Sequence, residues 1–275
     1  MNSVQIDLLF GSLDNESLSL NELKTVETSQ RSLLGIKDTF AILEIIPPES
    51  LSSFQNALRF IKLWAKLRGI YGISKGYFGG ISLAIMLAKV VLLYPSASSE
   101  TLVFCFFKLF SSWNWKFPVQ LTNRVKNNGS FSVMTPTEPE MNSMKLVNKS
   151  SKKLLERELK RAAMCSSLEQ ILDTEDTIEY SHFIEIRLDS QSENFYKESA
   201  KVESSLKKLV NDLESKVESA NILKSETSKG EPFLIGIETE WMDEYYFEKM
   251  VRSFFESWVR LWVGFPVEMI LIHSE

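Results

Sequence analysis

The sequence predicts an α+β protein in which a helical central region is followed by a small α/β sandwich. Residues 52–71 carry apolar side chains at helical spacing, and residues 81–94 form a continuous apolar run. The last third instead alternates strand-like segments with amphipathic helices. The chain has 275 residues, 44% of them hydrophobic and 24% charged, which is enough for one large or two ordinary globular domains.

The N-terminal elements follow from β-forming residues and helix breakers. Residues 3–10, SVQIDLLF, predict a short strand with Asp7 in its middle. A Ser-, Asn- and Glu-rich stretch up to about Ser32 then predicts a loop with a short helix. The apolar segment 33–46 ends at the Pro47-Pro48 pair, which stops any helix.

The central region is predicted to contain three apolar helices. The first runs over 52–71 and places Arg59, Lys62 and Lys66 on one side. The second opens after Gly79-Gly80 and ends near Tyr94, and the third begins near Ser98 or Ser99 and continues past Phe106. The apolar run 81–94 is too short for a span of roughly 20 residues, so we expect no membrane association.

The C-terminal third is predicted to be a mixed layer of strands and helices. Polar residues 122–150 read as a long connection that leads into a basic helix over 149–163. Strands are then predicted at 180–188, 233–237 and 267–273, with helices at 193–217 and 242–263 between them. The order strand, helix, strand, helix, strand predicts helices on one side of an antiparallel or mixed sheet.

Charge is distributed very unevenly along the chain. Residues 55–167 hold 17 basic and 5 acidic side chains, whereas residues 168–275 hold 11 basic and 23 acidic ones. A basic middle attracts phosphate groups and an acidic end repels them. The alternative is two solvated surfaces of opposite sign that serve solubility or domain contact. Because of the acidic end, a protein partner is a better expectation there than RNA.

Cysteine usage excludes two classes of protein. Cys105 and Cys165 are the only cysteines and show no CxxC spacing, so a disulfide framework or a zinc site is not expected. The two histidines, His182 and His273, have no triad or metal-ligand spacing around them. A reducing compartment, cytosol or nucleus, fits best, and no secretory signal is expected in residues 1–10.

Three segments together resemble eukaryotic nuclear-type poly(A) polymerases. The most specific is LRFIKLWAKLRGIYGISKGYFGGISLAIMLAK at 58–89, followed by LYPSASSETLVFCFFKLFSSWNWKFPVQL at 93–121. The segment VQIDLLF resembles the strand that carries the third of the family's three catalytic aspartates. MTP and MNS, within 134–143, resemble the crossing between the helical and RNA-binding domains, and 268–273 resembles the last strand of the latter.

The resemblance implies template-independent transfer of AMP from ATP to an RNA 3′ end in mRNA polyadenylation. In the family, three carboxylates hold two Mg²⁺ or Mn²⁺ ions that activate the 3′ hydroxyl and neutralise the leaving pyrophosphate. It also implies a nuclear location. RNA, ATP and a protein of the 3′-end processing machinery are the implied partners.

The resemblance implies a role for each of several individual residues. Asp7 matches the third catalytic aspartate and metal ligand, Lys62 the phosphate-binding lysine, and Tyr71 the tyrosine near it. Gly80 and Ile81 match the glycine turn that approaches the nucleotide. The residue pattern alone supports two of these assignments. Lys62 lies on a basic stripe of its predicted helix, and Gly79-Gly80 precedes a helix N-terminus, where backbone amides can approach an anion.

The resemblance implies three domains. These are a remnant of the nucleotidyltransferase catalytic domain over 1–40, a central helical domain over 41–165 and an RNA-recognition-like domain over 166–275.

The sequence departs from the family at several positions. The Asp-x-Asp pair that supplies the other two carboxylates does not precede Asp7, so we expect this chain by itself to be inactive. Ile73 stands where the family has Asn. The family's Trp-Asp-Pro loop is replaced by VKNNGSFS, and Lys145-Leu146 replaces a Tyr-Asn pair.

Simpler interpretations exist for each candidate. Asp7 could be a surface strand residue, Lys62 a solvated helix lysine and Tyr71 a core aromatic, while Gly79-Gly80 could serve close packing. Three functions therefore remain open: a divergent poly(A) polymerase, a non-catalytic paralogue that binds RNA or a processing partner, and a degenerate product without a role. The tryptophans at 64, 113 and 115 are expected in the core, and the aromatic helix over 241–262 is expected to pack on the sheet.

Overall fold

The computed structural model describes residues 31–122, 131–174, 180–224, 229–239 and 243–273. The predicted strand at 3–10, and Asp7 with it, lies outside the described residues. Helices and a four-stranded antiparallel sheet make up a mixed α and β architecture, as the composition of periodic segments predicted. The described chain forms two compact units, the first with residues 31–61, 80–109, 113–122 and 131–143, the second with 62–79, 110–112 and the described residues from 144 onward.

Eight helices and four strands are found in the described residues. The helices are α1 (Arg31–Ile45), α2 (Leu51–Leu67), α3 (Gly80–Leu93), α4 (Ser99–Ser111), α5 (Lys149–Met164), α6 (Leu168–Leu172), α7 (Phe195–Glu214) and α8 (Glu244–Trp258). The strands are β1 (His182–Arg187), β2 (Ser219–Lys224), β3 (Phe233–Glu238) and β4 (Glu268–His273). Short 3-10 turns lie at Pro48–Ser50 and Ile73–Lys75, and α8 continues into a π-helical turn, Val259–Val263.

The first unit is built around α3. This helix is apolar on nearly every side, and most of its residues from Ser82 to Val91 are buried, as expected for a helix inside a core. Trp115 stacks on Phe131 with ring centroids 3.8 Å apart, which confirms Trp115 as a core residue. The buried carboxylate of Asp38 accepts hydrogen bonds from the hydroxyl and amide of Thr137, while its burial raises the pKa of Asp38.

Helix α2 ends earlier than predicted. Periodicity predicted a helix to Tyr71, but the helix stops at Leu67 and Gly69 adopts φ 68°. The Gly69 amide donates to the Lys66 carbonyl at 3.1 Å and the Ile70 amide to the Ala65 carbonyl at 2.9 Å. These two hydrogen bonds and the left-handed glycine form a Schellman motif, which ends the helix. Tyr71 therefore lies in the connection that follows and not on α2.

The predicted basic helix α5 is confirmed, and polar side chains cap its N-terminus. The Asn148 side chain accepts from the Ser151 amide, and the Ser151 hydroxyl accepts from the Asn148 amide, forming a capping box. Such reciprocal bonds satisfy amides that have no partner in the first turn of a helix. The helix therefore begins at Lys149, the residue at which the sequence predicts its start.

The C-terminal part contains one strand more than predicted. Its order is strand, helix, strand, strand, helix, strand, and the sheet order is β2-β3-β1-β4 with every pair antiparallel. This is the βαββαβ arrangement of a split, ferredoxin-like sandwich. The missed strand is β2, whose first four residues are all buried. Its sequence, SANILK, alternates polar and apolar residues over only four positions and contains Ser and Asn in place of the β-branched and aromatic residues by which strands are recognised.

One face of this sheet carries the core of the second unit. Side chains of α7 and α8 pack against the buried side chains of the strands, which are Ile184, Ile186, Ala220, Ile222, Phe233, Ile235 and Ile237. The aromatic helix was expected to pack on the sheet, and Phe247, Phe255 and Trp258 do so. Tyr245, Tyr246 and Trp262 remain exposed, so that expectation holds for only one side of the helix.

Part of the opposite face is also covered. Tyr180 lies over Gly236 on β3. At the edge of the sheet, the Ser150 hydroxyl of α5 accepts from the Ala220 amide on β2 at 3.0 Å. Lys153, also on α5, pairs with Glu238 on β3 at 2.9 Å. The described helices include none that is long and apolar enough to cross a bilayer.

Candidate functional site

Two lysines lie one turn apart near the end of α2. Lys62 is half-buried and Lys66 is exposed, and the i, i+4 spacing places both on the same face of the helix. Burial, and after it the positive charge of Lys66, lowers the pKa of Lys62. Both causes make the protonated form of Lys62 less favourable. An anion bound beside these lysines would counter both, which makes the pair a favourable place for phosphate.

Tyr71 is brought back to this face by the early end of α2. The Lys66 ammonium lies 5.5 Å from the centroid of the Tyr71 ring, within the range of a cation–π interaction. Backbone bonds fix the tyrosine: Tyr71 forms a β-bridge with Phe78, and the Gly72 amide donates to the Phe78 carbonyl at 2.9 Å. Lys62, Lys66 and Tyr71 thus form one cluster, which we call the lysine–tyrosine cluster.

A third lysine lies in the same segment. Lys75 ends the 3-10 turn that follows Tyr71, and its aliphatic carbons come within 3.5–3.6 Å of a Cβ built on Gly72. No sequence pattern marks Lys75 as a site residue. Its spacing from Lys62 and Lys66 follows no helical pattern, and only the folded turn shows that it shares their segment.

Gly80 and Ile81 are the first two residues of α3, and both are half-buried. They belong to the first compact unit, whereas the lysine–tyrosine cluster belongs to the second. Among the predicted site residues, Tyr71 lies against Lys66, which is one helical turn from Lys62. The structure places Gly80 and Ile81 at a helix start, as predicted.

The metal ions that the resemblance implies need a set of carboxylates. No group of three or more His, Cys, Asp or Glu side chains in the described ranges could hold a metal ion. Asp7, the predicted ligand, lies outside those ranges. The described residues therefore do not fit such an ion.

The lysine–tyrosine cluster lies inside a segment that matches a known domain. Residues 53–133 match the family described as poly(A) polymerase central domain. The chain is 31% identical over 246 residues to a poly(A) polymerase of Dictyostelium discoideum, an alignment that covers 77% of this chain and 30% of the relative. This is a poly(A) polymerase-like protein.

Further relatives give the same result. Nuclear poly(A) polymerase 1 of Arabidopsis thaliana is 30% identical over 203 residues, covering 65% of this chain and 28% of the relative. Poly(A) polymerase PAPalpha of Candida albicans is 33% identical over 184 residues, covering 58% and 33%. The chain spans about a third of the length of these poly(A) polymerases. Lys62, Tyr71, Gly80 and Ile81 all lie within the matched central domain.

Proposed function

We propose that this poly(A) polymerase-like chain binds ATP through its lysine–tyrosine cluster, as part of AMP transfer from ATP to an RNA 3′ end. The observation that carries the proposal is the pairing of Lys62 and Lys66 beside Tyr71 within residues 53–133. Two cations on one helix face suit a triphosphate, and an adjacent aromatic ring suits a nucleoside.

The remaining parts of the proposal come from the resemblance. Gly80 and Ile81, at the start of α3, would line the nucleotide, and Asp7 would hold Mg²⁺ or Mn²⁺ with carboxylates beyond those described. By itself the 275-residue chain is proposed to bind ATP without transferring AMP. A nuclear location is proposed because one relative is a nuclear poly(A) polymerase.

A second function is favoured by the C-terminal part. The chain would be a non-catalytic protein that binds RNA or a component of 3′-end processing. Residues 168–275 carry 23 acidic and 11 basic side chains, which opposes binding to RNA phosphates. Part of the sheet face opposite α7 and α8 is also covered by Tyr180, and α5 occupies the edge of strand β2. A protein partner therefore fits this part better than RNA. The βαββαβ order is compatible with an RNA-recognition-like domain.

ATP affinity of the purified chain, measured by calorimetry, tests the proposal. Lys62→Ala should weaken binding by about tenfold or more, because a charge-assisted hydrogen bond contributes roughly 1.5–3 kcal/mol. Lys160→Ala, an exposed position on α5 with the same change of charge, is the matched control and should leave affinity unchanged. Equal loss in both variants, or no ATP binding by the folded wild-type chain, would overturn the proposed site.

Primer extension separates the two functions. An oligo(A) primer, labelled ATP and Mg²⁺ or Mn²⁺ are incubated with the chain and with Asp7→Ala. AMP addition that disappears in Asp7→Ala would show that the chain transfers AMP as it stands. ATP binding that depends on Lys62, without AMP addition, would show a binding chain that needs further carboxylates.

A further inference from the structure

The segment that carries the lysine–tyrosine cluster, residues 62–79, belongs to the same compact unit as the βαββαβ module, residues 180–273. Residues 53–133 match the central domain as one continuous stretch, and this segment lies within it. In space it is held by residues far along the chain. Three contacts do this, at the end of α2, at Tyr77 and at Gly76.

The first contact anchors the end of α2 to α5. The Arg68 guanidinium donates to both carboxylate oxygens of Glu158, at 2.8 and 2.9 Å, and the two side chains are 5% and 2% exposed. Arg161 adds a bond to the same carboxylate at 3.2 Å. A buried bidentate pair of this kind has one favourable geometry. It therefore fixes the chain at Arg68, directly after the end of α2 and two residues after Lys66.

The second contact anchors the connection after Tyr71 to the sheet. The hydroxyl of Tyr77, which is 1% exposed, donates to the Ile222 carbonyl on β2 at 3.0 Å. The neighbouring Phe78 amide donates to the Ile70 carbonyl at 3.2 Å, and the Phe78 carbonyl accepts from the Gly72 amide. Tyr71 lies between these bonded residues, so the position of Tyr77 on the sheet sets the position of Tyr71.

The third contact lies at the turn between Tyr71 and Tyr77. Gly76 has φ 81°, and a Cβ built there would come within 2.6 Å of both the Lys207 Nζ and the Leu146 carbonyl oxygen. Lys207 lies on α7, the first helix of the βαββαβ module. The turn is thus packed directly against α7, with no space for a side chain at residue 76.

We infer that helix α5 and the βαββαβ module together support the ATP site, and that Tyr77 and Glu158 are positioning residues that hold Tyr71 and Lys66 in place. The inference rests on the proposed ATP-binding function of the lysine–tyrosine cluster. The C-terminal module would then have a structural role in ATP binding, separate from any binding of RNA or of a protein partner. Neither Tyr77 nor Glu158 contacts the nucleotide; each acts through the backbone of residues 62–79.

The test compares two variants that each remove one buried hydrogen bond on β2. Tyr77→Phe removes the bond to the Ile222 carbonyl, whereas Ser150→Ala removes the bond between α5 and the Ala220 amide. Hydrogen exchange of residues 70–79 and ATP affinity are measured on the full chain. Tyr77→Phe should speed exchange over 70–79 and weaken ATP binding about threefold to tenfold. Ser150→Ala should change neither, despite a similar loss of overall stability.

The outcomes are distinct. Unchanged exchange over 70–79 in Tyr77→Phe, or an equal increase in Ser150→Ala, overturns the support role. Faster exchange with unchanged ATP affinity overturns the positioning role. If the wild-type chain does not bind ATP, or Lys62→Ala has no effect, the proposed function fails, while exchange still decides whether the module holds the segment. Glu158→Gln, at the other anchor, gives the same readouts should Tyr77→Phe fold poorly.

Discussion

Gly236 on β3 lies directly beneath the ring of Tyr180. A Cβ built at residue 236 would come within 2.6–2.8 Å of three atoms of that ring, closer than real Cβ atoms approach. We expect Gly236→Ala to destabilise the protein by about 1–3 kcal/mol, the usual cost of overpacking. Chemical denaturation measures this change in the free energy of unfolding.

A double-mutant cycle assigns the cost to the contact. Tyr180→Leu removes the ring, and Gly236→Ala in that background should cost markedly less than in the wild type. An equal cost in both backgrounds would mean that the backbone of β3, and not Tyr180, requires glycine. The cycle therefore shows whether glycine is needed at residue 236 to make room for the Tyr180 ring or to allow the backbone conformation of β3.

The buried pair of Arg68 and Glu158 makes Glu158→Ala strongly destabilising. Removing one partner leaves the Arg68 charge buried and uncompensated, which costs about 3–5 kcal/mol. Glu156→Ala, on the same helix, is the matched control: Glu156 pairs with Lys152 at 3.8 Å and both side chains are about a third exposed. That exposed pair should contribute less than about 0.5 kcal/mol. Similar losses in the two variants would contradict the prediction.

Two glycines should respond to alanine in opposite directions. Gly76→Ala must adopt a left-handed φ and meets the Leu146 carbonyl, so we expect a loss of about 1–3 kcal/mol. Gly35, in α1, has nothing within 4 Å of its built Cβ. Gly35→Ala should stabilise by about 0.5–1 kcal/mol, because alanine favours the helix. Thermal unfolding of both variants checks the pair, and stabilisation by Gly76→Ala would be inconsistent with the turn described.

Lys207 makes stability depend on pH. Its burial lowers its pKa to about 8 from an ordinary value of 10.5, and the charge of Glu214 offsets part of that effect. Between these two values the unfolded chain binds more protons at this site than the folded chain. The contribution of Lys207 to the free energy of unfolding therefore rises with pH in that range, and its desolvation penalty is fully present below pH 8.

Lys207→Met should therefore stabilise the protein at pH 7, by at most about 3 kcal/mol. It should also remove the rise in stability between pH 8 and pH 10 that the wild type shows. Denaturant unfolding across this range makes the comparison. Lys197→Met, an exposed position on the same helix, is the control and should keep the pH dependence of the wild type. A parallel pH profile for Lys207→Met and the wild type would disprove the assignment.

Much of the fold follows from local patterns. Helices α4 and α7 are predicted because their apolar residues recur with a helical period. Helix α3 is predicted from its continuous apolar run after Gly79-Gly80, and α5 from its basic segment. The end of α2 was placed four residues too late, because apolar spacing continues through Ile70 while Gly69 turns the backbone away. The sequence does not predict strand β2, because its short segment SANILK is poor in the β-branched and aromatic residues that mark strands. Local sequence patterns predict where helices and strands form, but they do not predict which faces of those elements are buried by distant parts of the chain.

The candidate site was predicted in part. Lys62 and Lys66 could be placed on one helix stripe from spacing alone. Tyr71 was matched by resemblance, and the structure brings it to Lys66. Tyr77, Glu158 and Lys207 carried no signal, because their partners lie far away in sequence; the Tyr77 bond to Ile222 spans 145 residues. The role of Asp7 stays a prediction, since it lies outside the described residues.

The early turn at Gly69 and the anchoring of residues 70–79 have a practical consequence for dissecting the protein. A recombinant fragment that stops at residue 143 would retain Lys62, Lys66 and Tyr71 but lose Glu158, Ile222 and Lys207. It would expose Ile70, Tyr77 and Phe78, which are at most 1% accessible in the intact chain. Such a fragment would be prone to aggregation and protease cleavage near residue 75. Weak ATP binding by it would report the missing scaffold, not the intrinsic strength of the nucleotide contacts.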